Sequence, residues 1–170
     1  MRKTLLVLSS LLAYSGCANA EVYVDANFGA NTSWSSPVYN VNGGYKFNNY
    51  IGVEGGISYS PQYKYSWGPG YAYNTDYWLF DGAVKGILPL TDIFSLYGKL
   101  GLGLNNYTST WNGCNGIGCS GPAYSGVNLG VLAAAGVQFD LSSQWSLHVE
   151  DYTVTGSNPN FFVFGGEFNF

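Results

Sequence analysis

Beyond residue 20 the chain contains no arginine, and its full length holds only six lysines and arginines against ten aspartates and glutamates. A basic surface for nucleic acid is therefore excluded. Charged residues make up 9% of the chain, too few to coat a soluble domain with the usual Lys, Glu, Asp and Arg. A single histidine leaves no His-rich set of metal ligands. Long apolar runs are scarce too. After the first segment, Gly, Asn, Tyr or Ser interrupts each apolar stretch before it reaches the roughly 20 residues of a membrane helix. What is abundant is aromatic side chain, at 18%, together with 24 glycines, and that aromatic content argues against disorder.

The N-terminus reads as an export signal. Arg2 and Lys3 precede a short apolar run from Leu5 to Ala13, and Ala18-Asn19-Ala20 fits a small-x-small cleavage site. Residues 1–20 are expected to be a signal peptide and residues 21–170 one domain starting at Glu21. Without Arg2 and Lys3 the charge balance becomes 4 − 10 = −6. A rival reading makes Cys17, after Ser15-Gly16, the lipidated cysteine of a lipoprotein. Tyr14 opposes it, standing where that signal prefers a small aliphatic residue.

The rest of the chain alternates with a period of two. Val22, Val24, Ala26, Phe28 and Ala30 share one face; Tyr23, Asp25 and Asn27 share the other. The same contrast recurs over about 39–47, 51–59, 77–88, 94–105, 127–139, 145–150 and 162–170, predicting eight strands. In the fifth, Leu96, Leu100, Leu102 and Leu104 oppose Ser95, Tyr97, Lys99 and Asn105. The charges Asp25, Lys46, Glu54, Asp81, Lys85, Lys99, Glu150 and Glu167 all fall on the face opposite the large apolar residues. Short turns such as Asn48-Asn49, Pro89–Asp92 and Ser142–Gln144 alternate with long connections, and aromatics gather near segment ends, as interfacial girdles require.

Alternation alone does not say which face points inward. A lipocalin-like soluble ligand-binding barrel would bury the apolar face. Here the apolar face is large and the other small, polar and sparsely charged. That suits a lipid-facing exterior around a narrow lumen, in a closed barrel that leaves no backbone group unpaired in hydrocarbon. The expected fold is an all-β, eight-stranded antiparallel up-and-down transmembrane β-barrel with both termini at the short-turn, periplasmic end.

Several runs resemble the OmpA-like and OmpX-like family of small outer-membrane β-barrels. They are Gly43-Gly-Tyr-Lys-Phe-Asn-Asn-Tyr-Ile-Gly-Val-Glu54-Gly-Gly, Lys85-Gly-Ile-Leu-Pro-Leu-Thr-Asp, Leu96-Tyr-Gly-Lys-Leu-Gly-Leu-Gly103, Gly136-Val-Gln-Phe-Asp-Leu and Phe164-Gly-Gly-Glu-Phe-Asn-Phe170. The resemblance spans essentially the whole region after residue 20. It implies the cell outer membrane as location and outer-membrane lipid and lipopolysaccharide as surroundings. It also implies a C-terminal assembly signal at Phe168 and Phe170 for the barrel assembly machinery, and a host or surface ligand for the external loops. The chain departs from the family in offering lumenal lysines where arginines are common, and the peptidoglycan-binding domain that follows some such barrels is not expected here.

Four candidate features carry chemistry. Cys114 and Cys119 bracket a glycine-containing hexapeptide and are expected to form a small loop disulfide, since an exported protein meets oxidising surroundings. Glu54, Lys85, Lys99 and Glu150 are expected to form a lumenal polar network, because buried charges must pair. An eight-stranded interior is just wide enough for side chains to fill it, which argues against a diffusion pore, although a narrow ion channel stays open as a rival. Ser146, His148 and Glu150 sit on one strand face and superficially match the Ser, His and acid of lipid A deacylases. Those enzymes place the groups toward lipid, whereas here the triplet faces inward. Tyr63, Tyr65, Trp67, Tyr71 and Tyr73 lie in an expected loop, where they extend the girdle or bind a surface ligand. The reading is therefore a non-catalytic barrel without cofactor or metal, with a structural or surface-interaction role in adhesion or envelope integrity. A lipid A-modifying enzyme, a narrow channel and a lipocalin are the alternatives.

Overall fold

Period-two alternation closes the chain on itself. The computed structural model describes residues 20–33, 35–68, 71–113, 124–156 and 160–170. They form eight strands: β1 (Glu21–Asn31), β2 (Ser36–Asn48), β3 (Ile51–Gly68), β4 (Tyr71–Pro89), β5 (Phe94–Gly113), β6 (Tyr124–Asp140), β7 (Trp145–Val154) and β8 (Asn160–Asn169). Each pairs with its sequence neighbour, and β8 returns to β1 to close the barrel. The closing ladder is antiparallel, from Tyr23↔Asn169 to Asn31↔Phe161. Within the closed wall the backbone finds its partners in neighbouring strands, the condition for crossing hydrocarbon.

The tight turns at one end are built by polar side chains that occupy otherwise unpaired backbone N–H groups. Asn48 Oδ1 accepts from the N–H of Tyr50 at 2.8 Å and of Ile51 at 3.0 Å. Ser142 Oγ does the same for Gln144 and Trp145 at 3.3 and 3.0 Å. Thr91 Oγ1 accepts from Ile93 N at 3.3 Å. These hairpins fix the strand registers.

Adjacent residues separate sharply between the two faces. Leu100 is 64% exposed and Lys99 only 7%, so the apolar set faces outward and the charged set inward. Aromatic pairs mark both ends of the outer surface. Trp145 packs on Phe168 at 4.9 Å and Phe94 on Phe139 at 4.9 Å near the short turns; Phe28 packs on Tyr39 at 5.4 Å and Tyr59 on Trp78 at 4.5 Å toward the other end.

Two expectations need correcting. The connection expected to hold Tyr63, Tyr65, Trp67, Tyr71 and Tyr73 is strand, because β3 runs to Gly68 and β4 starts at Tyr71. The segment does alternate, with Gln62, Lys64 and Ser66 against Tyr63, Tyr65 and Trp67, but Pro61 and Gly68-Pro-Gly70 read as a turn-rich connection. Secondly, the inner face is not polar throughout. Toward the far end Val38, Tyr77, Leu79, Ala83, Leu132, Tyr152, Val154, Phe161 and Val163 form one buried apolar cluster inside the barrel.

Strand length divides the wall in two. β3 to β6 have 18, 19, 20 and 17 residues. β1, β2, β7 and β8 have 11, 13, 10 and 10. The four central strands therefore project past the far rim as a curved sheet, held by β4–β5 pairs up to Tyr71↔Gly113 and β5–β6 pairs up to Ser109↔Tyr124.

Candidate functional site

Inside the lower half of the barrel, nearer the short turns, alternation aims every charged side chain at the axis. There the chain builds a continuous ladder of ion pairs. Lys99 Nζ pairs with Glu54 Oε1 and lies 2.6 Å from Glu150 Oε2. Lys85 Nζ sits 3.8 Å from Glu54 Oε2 and 3.1 Å from Glu167 Oε2. Lys46 Nζ ends the ladder on Glu167 Oε1 at 2.6 Å and Asn169 Oδ1 at 2.8 Å. The order is thus Glu150, Lys99, Glu54, Lys85, Glu167, Lys46, alternating in sign. Each bond in so buried a setting offsets part of the desolvation cost of its partners.

Two tyrosines serve as the scaffold of this ladder. Tyr23 donates its hydroxyl to Glu54 Oε2 at 2.7 Å. The Lys85 ammonium lies over both the Tyr23 and Tyr97 rings, 4.8 and 4.6 Å from their centroids, a favourable placement for a cation. Glycines make room for both rings: a Cβ on Gly44 would overlap the Tyr23 ring, and one on Gly136 would overlap that of Tyr97.

Glu54, Lys85, Lys99 and Glu150 are therefore together, as their inward positions suggested. Glu167, Lys46, Tyr23 and Tyr97 complete the set. The first two carry the right parity in sequence, but Lys46 and Glu167 meet only because β8 closes on β1. Beside the ladder, Asp25, Asn27, Asn40 and Asn42 form a buried amide–carboxylate cluster. Asn27 Nδ2 donates to Asp25 Oδ1 and Asn40 Oδ1, both at 2.6 Å, and Asn42 Nδ2 donates to Asp25 Oδ1 at 2.8 Å. The space left between Asn42, Glu54, Asp81, Lys99 and Glu150 is about 10 Å³, room for about one water. Above it the apolar cluster closes the bore, with Phe161 stacked on Tyr152 at 4.7 Å and packed against Tyr77 at 5.7 Å.

The triplet Ser146, His148 and Glu150 does not assemble into a relay. Ser146 Oγ donates to Asp140 Oδ1 at 2.8 Å, Glu150 is taken by Lys99, and His148 is 3% exposed inside the lumen with its ring edge-on to Tyr97. A nucleophile and base must first be within hydrogen-bond reach of each other. Phe168 and Phe170 stand on the outer surface at the short-turn end, their rings edge to face at 5.0 Å, and Phe170 N donates to Val22 O at 3.0 Å. Cys17, Cys114 and Cys119 lie outside the described residues.

Beyond the far rim the projecting sheet offers the second candidate surface. Tyr124 to Gly130 of β6 pair with β5 alone among the described residues, since the β6–β7 ladder begins at Leu132↔Val154. Ser125, Val127, Asn128 and Leu129 are all exposed, so both sheet faces are open there. Beyond Ser60, β3 likewise pairs only with β4.

Comparison with known proteins places this geometry. The profile of the outer membrane protein beta-barrel domain family matches residues 4–166. No curated protein matches the chain. Among solved structures, a major outer membrane protein of Thermus thermophilus superposes with a TM-score of 0.68 at 13% identity, covering 89% of this chain and 99% of that one. Ail, the attachment invasion locus protein of Yersinia pestis, gives 0.57 at 15% identity, covering 89% and 97%. The N-terminal β-barrel domain of Pseudomonas aeruginosa OprF gives 0.58 at 12% identity, covering 88% and 97%. At such identities the likeness is one of fold.

Proposed function

The chain belongs to the outer membrane protein β-barrel domain family, and on that premise we propose that it is a non-catalytic surface-interaction barrel whose projecting β3–β6 sheet meets a partner outside the cell. The observation that carries this reading is the difference in strand length, which raises four strands above a lumen filled by ions below and aromatics above. A sheet edge presents a row of main-chain donors and acceptors that an extended segment can join. The two edges are unlike. The β3 edge holds Pro61, Lys64 and a register irregularity between Ser60 and Tyr63, devices that blunt pairing. The β6 edge, Tyr124-Ser-Gly-Val-Asn-Leu-Gly130, has no proline and no charge. Among the described residues it is the edge left open to a partner strand.

Supporting parts of the proposal follow the same logic. Residues 1–20 act as a cleaved export signal, and Phe168 with Phe170 guides insertion by the assembly machinery. Cys114 and Cys119 brace the connection between β5 and β6. Ail has been solved in complex with the heparin analogue sucrose octasulfate. Here the lysines beyond residue 20 are Lys46, Lys64, Lys85 and Lys99, and Lys46, Lys85 and Lys99 are held in the lumen. That favours a polypeptide partner over a polyanion.

Val127→Pro tests the reading. Val131 N donates to Thr155 Oγ1, and Thr155 N donates back to Val131 O, so the odd-numbered residues of β6 point their main-chain groups away from β5. Proline at 127 removes one outward N–H and leaves the β5 ladder whole. Cells displaying this variant should lose adhesion to host cells or matrix while the barrel keeps its heat-dependent gel mobility. Unchanged adhesion after deleting the whole gene, with a leakier envelope instead, would move the role to envelope integrity.

A further inference from the structure

The short-turn mouth of the barrel, the periplasmic end in such proteins, holds a cavity of about 580 Å³ below the ion ladder. Its wall is made by the three short turns and the inward residues next to them, and its size is that of a small-ligand pocket. Carboxylates border it from separate elements: Glu21 at the start of β1, Asp92 in the β4–β5 turn and Asp140 at the end of β6. Lys46 also lines it, but its ammonium is held by Glu167 at 2.6 Å and Asn169 at 2.8 Å. The mouth therefore carries a surplus of negative charge, and a concave wall of low dielectric focuses such a field.

The inner wall is an acceptor as well, and it is organised. Gln138, 4% exposed, sends Nε2 to Asp140 Oδ1 at 2.9 Å. An ionised carboxylate only accepts, so this bond fixes the nitrogen of the amide on Asp140. It leaves Oε1 as a buried acceptor with no hydrogen bond among the described residues, in the wall of the cavity. Ser146 Oγ donates to the same Asp140 Oδ1 at 2.8 Å, so two side chains orient this carboxylate. Such a wall suits a ligand that is rich in donors and positively charged.

The spread of the charges narrows its chemistry. Among the described residues no three His, Cys, Asp or Glu side chains converge as a metal site requires. Glu21, Asp92 and Asp140 stand instead on three different elements, and Ile87, Ile93 and Leu141 add apolar wall. We propose that the cavity binds a linear aliphatic polyamine, in which ammonium groups alternate with methylene spacers. Each ammonium supplies charge and N–H donors to a carboxylate or to Gln138 Oε1. The spacers cover the isoleucines and Leu141, as the methylene stem of a lysine covers apolar surface. An inorganic cation supplies the charge without the spacers, and an anion is repelled.

Calorimetric titration of the barrel purified from outer membranes, with spermidine as the probe and magnesium as the control, tests this. Spermidine should bind saturably, and magnesium at matched ionic strength should not displace it. Asp92→Asn and Asp140→Asn should each weaken binding by roughly threefold, the size expected of one partly exposed ion pair. Asp151→Asn removes the same charge from the outward face of β7 and should leave the affinity unchanged. Heat-dependent gel mobility reports that each variant is folded. Asp92 is exposed in a turn, so its variant decides the matter if Asp140→Asn does not fold. The proposal is overturned if the parent shows no saturable binding, if Asp151→Asn weakens it as much as Asp92→Asn, or if the folded mouth variants bind like the parent. Capture of a lysine-bearing peptide where spermidine fails would also overturn it and give the mouth to a polypeptide.

Discussion

The lower and upper halves of the lumen are filled by opposite means, and their difference shows how one narrow bore can be closed twice. Below, Glu150, Lys99, Glu54, Lys85, Glu167 and Lys46 hold one another through alternating ion pairs. Above, Phe161, Tyr152, Tyr77, Leu79 and Val154 pack as a small apolar core. The ionic half is conditional, because each charge is tolerated only while its partners remain. The apolar half is local, since each side chain contributes in proportion to the area it buries.

The largest expected effect comes from breaking the ionic half on one side only. Lys99→Met strands Glu150 and weakens the hold on Glu54, and should cost roughly 3–5 kcal/mol in a folding titration. Adding Glu54→Gln and Glu150→Gln should recover much of that loss, because Lys85 keeps Glu167 at 3.1 Å. A triple variant no more stable than Lys99→Met would mean the ladder does not act as a unit. The apolar half offers no such rescue. Phe161→Ala opens a cavity against Tyr152 and Tyr77 and should cost about 3–5 kcal/mol, at the lower end if neighbours collapse into the space. No second substitution to a polar residue should restore it.

The smallest expected effect lies outside the lumen. Replacing Cys114 and Cys119 together with Ser should barely change stability, because closing so short a loop removes little unfolded-state entropy. Mass spectrometry of protein from intact cells should find the two oxidised to each other; two free thiols would remove the brace from the account.

The same contrast explains what the sequence revealed. The ionic half was legible because charges stand against Leu, Val and Ile on alternate residues, as in Leu96 to Asn105. Even so, the Lys46–Glu167 pair spans 121 residues, and only closure of β8 on β1 brings it together. The upper half was illegible because both faces there are apolar: Phe161-Phe162-Val163-Phe164 sends its members alternately inward and outward with no change of character. The projecting ends of β3, β4 and β5 were hidden because Pro61, Gly68-Pro-Gly70 and the run Asn105-Asn-Tyr-Thr-Ser-Thr110 read as connection, whereas β6 was expected from Val127 onward. Asp151 breaks the outward pattern in plain sight, and only the continuation of β7 to Val154 shows that it belongs to a strand. One inner-face position resists the usual polarity test. A Cβ on Gly101 would collide with the backbone of Gly82 and Ala83, so any side chain there overpacks whatever its polarity.

The central claim is that the large apolar face meets lipid, and Leu100→Arg tests it most directly. Leu100 is among the most exposed residues of β5, beside the inward Lys99. In folding titrations in lipid vesicles, the arginine should cost roughly 2–4 kcal/mol if it sits near the midplane of the bilayer. A variant as stable as the parent would contradict the account, for it would place this face in water and turn the barrel inside out.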